Sequence, residues 1–160
     1  MYKRQLQDSG IVAGRWLADA QALTHEAIAT LYVTGGPRLP LPMLALASGP
    51  GAPAQFVFDR SQLGGPAGLL AFVVSASTAD KAVLEQQVVA QAKAEGWQVQ
   101  PLRTIVEKRA TFACVPGLRR PSMAIAPGLW ACGDYVEGPY PATLEGAVRS
   151  GVAVARALAT

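Results

Sequence analysis

The spacing of apolar positions changes several times along the chain, and each change predicts an element. From Trp16 to Leu23 the spacing is helical, and Glu26–Val33 (EAIATLYV) is rich in the β-branched and aromatic residues of a strand, stopped by Gly35-Gly36-Pro37. Leu39-Pro40-Leu41-Pro42 predicts an extended segment whose prolines bar it from central pairing, and Ser48–Pro53 (SGPGAP) predicts a turn. Gln55–Asp59 (QFVFD) alternates, and Leu69–Ser75 (LLAFVVS) is an unbroken apolar run of the kind a strand buried on both faces shows. Ser77-x-x-Asp80 resembles a capping box and opens a helix over about residues 78–95, where Val83, Leu84, Val88 and Ala92 keep helical spacing before Gly96. Thr104–Cys114 (TIVEKRATFAC) predicts one long strand, followed by a linker-like stretch through Pro116-Gly117, Pro121 and Pro127-Gly128.

The last thirty residues carry the chemistry. Leu129–Cys132 predicts a short strand ending in Gly133-Asp134, and a loop from Tyr135 to Tyr140 then leads through Pro141 into a helix over Ala142–Leu158. Pro141 suits a first helical turn, and Leu144, Ala147, Val148, Gly151, Val152, Ala155 and Leu158 form the expected inward stripe. Gly146 and Gly151 each cost about 1 kcal/mol against alanine inside a helix, so another backbone or a flat ligand is expected to come close there. A helix N-terminus attracts a phosphate or a carbonyl that gains negative charge, and a carboxylate such as Asp134 at a strand tip commonly holds hydroxyls in α/β proteins.

Composition narrows the classes. With 51% apolar and 16% charged residues, and only 16 glycines and 12 prolines in 160 positions, the chain is neither disordered nor collagen-like. No apolar run approaches the roughly 20 residues that span a bilayer, and no secretory leader pattern opens the chain. Cys114 and Cys132 are too few for a disulfide scaffold and are expected as small buried hydrophobes, so a reducing cytoplasm fits. The net charge of +3 comes from scattered basic residues without interleaved aromatics, which argues against nucleic-acid binding. So few charges on a 16.7 kDa chain imply a greasy ligand or a face that belongs against a partner. No metal-ligand cluster is apparent, and the lone His25 gives no support for a Ser-His-Asp site.

Gly128-Leu-Trp-Ala-Cys-Gly-Asp134 followed by Tyr140-Pro-Ala-Thr-Leu-Glu-Gly-Ala-Val-Arg-Ser-Gly151 resembles the C-terminal FAD-binding segment of the flavin amine oxidase and phytoene desaturase superfamily. Arg38–Met43, Ala54–Arg60 and Val106–Cys114 are similar to one branch of it, the squalene-associated FAD-dependent desaturases, or hydroxysqualene dehydroxylases, of bacterial hopanoid synthesis. The resemblance implies that Gly133 and Asp134 lie along the ribityl–phosphate region of FAD, that Pro141, Ala142, Thr143 and Leu144 bring the helix start to the isoalloxazine, with Gly146 close by, and that Glu145 turns back to support the loop. It implies an isoprenoid substrate, compatible with cytoplasmic residence or peripheral contact with the inner membrane, and names no catalytic acid, base or nucleophile. The family's Gly-x-Gly-x-x-Gly turn is missing: Gly49-Pro-Gly-Ala-Pro-Ala54 matches only as text, since two prolines occupy it with no strand before and no helix after.

The resulting expectation is an α+β chain: a mostly antiparallel substrate-domain sheet with one packed helix, plus the terminal strand and helix of an incomplete Rossmann-like FAD domain. Residues 6–118 form the partial substrate domain and 119–160 the FAD-domain segment. Met1–Gln5 resemble translated sequencing-adaptor DNA, with a short basic leader as the alternative. The parent is expected to be an enzyme, and this portion alone to be inactive, self-associating and to hold half an FAD site beside a missing N-terminal FAD domain. The rival reading is a stand-alone, non-catalytic module for a hydrophobic ligand or protein. Phe56, Phe58, Phe72 and Val73 are expected as ordinary core, with an isoprenoid tunnel as the alternative; Asp59-Arg60 as a local ion pair; Lys108-Arg109 as an exposed strand face.

Overall fold

A computed structural model describes residues 6, 8–11, 13–77 and 80–159; Met1–Gln5 and the centre of the Ser77-x-x-Asp80 motif lie outside these. Among the described residues the chain is mixed α and β, with three helices, a five-stranded antiparallel sheet and a two-stranded sheet. Their order is α1 (Gly14–Ala22), β1 (His25–Thr34), β2 (Met43–Ala45), β3 (Phe56–Asp59), a 3-10 turn (Arg60–Leu63), β4 (Leu70–Ser75), α2 (Lys81–Ala94), β5 (Gln100–Phe112), β6 (Ala124–Ala126), β7 (Leu129–Trp130) and α3 (Leu144–Leu158). No helix is long and apolar enough to cross a membrane.

The chain divides into two compact units: residues 26–110, and the residues up to His25 together with those from Thr111 onward. The sequence had placed α1 with the sheet and its division at 118/119. In the structure α1 belongs with the C-terminal segment, because Trp16 donates its indole N–H to the Ser122 carbonyl (2.7 Å) and meets the Tyr135 ring edge-on at 6.4 Å. Contacts more than a hundred residues apart leave no trace in local periodicity.

Residues 26–110 are built on the sheet order β2-β3-β4-β1-β5. β1 pairs with β4 (Leu31 opposite Phe72) and β4 with β3 (Phe72 opposite Val57), so one sheet face carries the row Leu31, Phe72, Val57 and extends to Leu44 on β2. Helix α2 supplies Leu84, Val88 and Ala92 to this core. Its polar buried residue, Gln91, accepts from Ala54 N–H (2.9 Å) and donates to the Ala54 (2.9 Å) and Ala47 (3.1 Å) carbonyls, fastening the Ser48–Pro53 turn to the helix. The sheet's other face carries two further rows, Ala45, Phe56, Val73, Thr30 and Met43, Phe58, Ala71, Tyr32. Phe56 is 38% and Met43 47% exposed, while Phe72 is fully buried, so the expected single core is split by the strand alternation into a covered and a half-open face.

Four local expectations are corrected. Helix α2 begins at Lys81 with Asp80 as its N-cap, accepting from Ala82 N–H at 2.8 Å. Pro141 lies outside α3, whose N-cap is Thr143. Strands β2 and β6 lie where prolines and turns hid three-residue pairings, and β7 forms a hairpin with β6. Asp59 makes no ion pair with Arg60: it is buried and accepts from Leu39 N–H, the Ser61 N–H and hydroxyl, and Gln62 Nε2. The hydrogen bonds from the Ser61 and Gln62 side chains, helped by the two backbone N–H groups and opposed by burial, hold its carboxyl well below the usual carboxylate range.

Candidate functional site

The residues singled out by sequence, 133–134 and 141–146, form one continuous structure with the start of α3. Ser150, buried in α3, reaches back to Gly133: its hydroxyl accepts from Gly133 N–H (2.8 Å) and approaches the Gly133 carbonyl (3.1 Å). Gly133 has φ +149°, and a Cβ there would lie 2.6 Å from the Tyr135 ring, so only glycine fits. Ala142 N–H reaches the Asp134 carbonyl at 3.4 Å, closing the loop over nine residues of chain.

The loop ends in strained backbone. Tyr140 (φ +59°) and Ala142 (φ +56°) both lie in the left-handed region, which costs a non-glycine residue on the order of 1 kcal/mol or more. Thr143 then caps α3, its hydroxyl accepting from Gly146 N–H (3.0 Å) while donating to the Tyr140 carbonyl (2.7 Å). Leu144, the first helical residue, is 87% exposed, so the helix start is open to whatever approaches. Glu145 pairs with Arg149 one turn on instead of turning back to the loop, and the Arg149 guanidinium stacks over the Tyr140 ring at 5.0 Å.

Gly146 answers the question its sequence position raised. A Cβ there would lie 2.2 Å from the Tyr140 carbonyl oxygen, so the backbone that comes close is the chain's own loop. Gly151 differs: a Cβ there meets nothing within 4 Å. The apolar stripe expected to face inward is corrected likewise. Helix α3 buries Gly146 and Ser150, whereas Leu144, Val148, Val152 and Leu158 are exposed, because small residues let the helix sit tightly on the 133–140 loop and turn its larger side chains away.

A groove of about 480 Å³ runs between this loop and α3, with Arg120, Asp134, Glu137, Arg149 and Arg156 on its walls. Arg120, one of the chain's scattered basic residues, donates to the Val136 (2.7 Å) and Gly138 carbonyls and holds the loop's shape. A second cavity of about 360 Å³ is apolar, lined by Trp16, Ile125, Trp130, Cys132 and Tyr135. Cys114 and Cys132, expected as buried hydrophobes, are exposed free thiols because each lies in irregular chain just past a strand. His25 is the half-buried first residue of β1. Among the described residues no group of three or more His, Cys, Asp or Glu is arranged to hold a metal ion.

A scan against protein-family models finds no match to this chain, and a search of curated proteins finds none either.

Proposed function

We propose that the chain is the C-terminal part of an FAD-dependent oxidoreductase acting on a squalene-type isoprenoid, with conversion of hydroxysqualene to squalene in hopanoid synthesis as the specific reaction. The observation that carries this reading is the strained loop delivered onto an exposed helix start. Left-handed Tyr140 and Ala142 place Thr143 and Leu144 at an open N-terminus, and such strain is characteristic of ligand clamps. The donors and dipole of α3 suit the pyrimidine edge of a flavin, which becomes negative on reduction. Gly133 and Asp134 would run along the ribityl–phosphate chain; Pro141, Ala142, Thr143 and Leu144 would present the helix start to the ring.

These residues fit one edge of FAD. Gly146 would act through the loop, by letting the Tyr140 carbonyl rest against α3. The flavin, when bound, supplies the hydride chemistry; this chain's residues orient the ring and exclude water. The half-open sheet face of Met43, Phe56, Phe58, Val73 and Tyr32 supports an apolar substrate, since these five side chains offer mainly hydrocarbon. Such a substrate is compatible with peripheral contact with the inner membrane. A second reading, a non-catalytic module for a hydrophobic ligand or protein, draws on the exposed stripe of α3.

The chain alone is expected to emerge colourless from gel filtration after incubation with FAD, because its sequence lacks the Gly-x-Gly-x-x-Gly turn that wraps a pyrophosphate. The same chain extended upstream in frame, carrying a glycine-rich βαβ unit, is expected to retain stoichiometric flavin. In that protein Gly146→Val should weaken FAD binding more than Asp134→Ala, which removes a hydrogen bond worth about 1.5–3 kcal/mol if charge-assisted. An upstream frame without such a unit, or an Asp134→Ala variant that is apo while Gly146→Val binds normally, overturns the proposal.

A further inference from the structure

The apolar cavity of about 360 Å³ lies wholly within the compact unit formed by the residues up to His25 and those from Thr111 onward. Docking of α1 builds it: Trp16 comes from that helix, Trp130 and Cys132 from β7 and the chain just past it, and Tyr135 from the loop that follows. Trp16 and Tyr135 meet edge-on at 6.4 Å, and Trp130 adds a third aromatic ring to the wall. Two of the wall's few polar groups are already satisfied, since Trp16 donates its indole N–H to the Ser122 carbonyl (2.7 Å) and Ser9 its hydroxyl to the Leu6 carbonyl (2.8 Å). None of the described residues lining the cavity is charged, whereas three arginines and two carboxylates stand on the walls of the groove beside α3. Cys132 is exposed, so a free thiol stands where the cavity meets solvent.

We propose that this cavity is a binding site for a small, neutral, flat aromatic molecule. Charge decides the first property: an ion placed here would lose water and find no counter-charge on the wall, whereas hydrocarbon gains by leaving water. Volume decides the size, because at protein packing density the space holds on the order of fifteen non-hydrogen atoms, enough for two or three rings. The wall decides the shape, since rings pack edge-on or offset-stacked against rings and three of the side chains are aromatic. A flat molecule also surrenders little conformational freedom on binding, while an acyclic chain of equal size must fix many rotatable bonds. This ligand is distinct from a squalene-type substrate and its site from the half-open sheet face, so the proposal stands whether or not the chain holds flavin.

Titration of the full chain with the neutral dye N-phenylnaphthylamine tests it. Dye fluorescence is expected to rise saturably to one equivalent, with a Kd on the order of 10 μM. Anilinonaphthalenesulfonate, the same rings bearing a sulfonate, should bind at least about tenfold more weakly, and farnesol, acyclic and of similar size, should displace the dye only at about tenfold higher concentration. Bound dye should slow alkylation of Cys132 by iodoacetamide and leave Cys114 unaffected, as read by peptide mass mapping. Cys132→Trp, a change at an exposed position, should fill the cavity and remove binding, whereas Val152→Glu, on the exposed stripe of α3, should leave it unchanged. Trp130→Leu keeps the wall apolar but removes a ring, so it should weaken the dye about tenfold and change farnesol binding by less than about twofold. No saturable binding, binding of the sulfonate or farnesol as tight as that of the dye, or equal protection of the two thiols overturns the proposal. Binding that survives in a folded Cys132→Trp variant, or that is lost in Val152→Glu, overturns it too, the latter by placing the dye on α3.

Discussion

Asp59 shows how one side chain organises its surroundings. Its carboxylate gathers the Leu39 and Ser61 N–H groups, the Ser61 hydroxyl and the Gln62 amide, tying the proline-flanked Leu39 segment to the end of β3. The Asp-x-Ser-Gln spacing could have disclosed an Asx-type turn, since a short acidic side chain at a strand end commonly captures donors two and three residues on. The partner twenty residues back has no such local signature. Because the folded carboxyl titrates below its ordinary value, its stabilising effect is complete above the unfolded pKa of about 3.9. It is lost as pH falls below that, where the unfolded chain takes up a proton that the folded carboxylate resists. Asp59→Asn is therefore expected to lower the urea midpoint at both pH 6 and pH 3, and by more at pH 6, and the wild-type midpoint to fall more between these pH values than the variant's. Equal pH dependence of the two proteins would contradict this account.

At the scale of elements, α3 separates two glycines that look alike in sequence. Gly146 is held against the Tyr140 carbonyl, while Gly151 faces open space. Gly151→Ala is expected to stabilise the chain by about 0.8–1 kcal/mol through helix propensity alone. Gly146→Ala is expected to destabilise it by about 1–3 kcal/mol, because the loop must shift to make room. Thermal melts of the two variants check both signs, and a Gly146→Ala variant as stable as wild type would refute the close approach. The exposed Leu144, Val148 and Val152 on the same helix show the limit of pattern reading: a moment defines an apolar face but not what covers it.

At the scale of the molecule, the two compact units differ in how they are held. Residues 26–110 share a continuous core from Ala29 to Ala92, whereas the C-terminal unit relies on the Trp16–Ser122 bond, the Arg120 clamp and the Ser150–Gly133 pair. Amide exchange is accordingly expected to be slowest in β1, β3, β4 and α2 and fastest across residues 133–143, with mass-resolved hydrogen exchange as the check; uniform protection would contradict it. The sequence by itself determined the α+β class, the positions of β1, β3, β4 and both long helices, and the strand–loop–helix order at the C-terminus. Those follow from period, capping and turn chemistry, which act within a few residues. The tertiary structure alone decided the docking of α1 on the distant C-terminal segment, the pairing of the short β2 and β6, the outward turn of the α3 stripe and the exposure of both thiols. Each depends on which surfaces meet across long stretches of chain, and apolar spacing is the same whichever partner lies opposite.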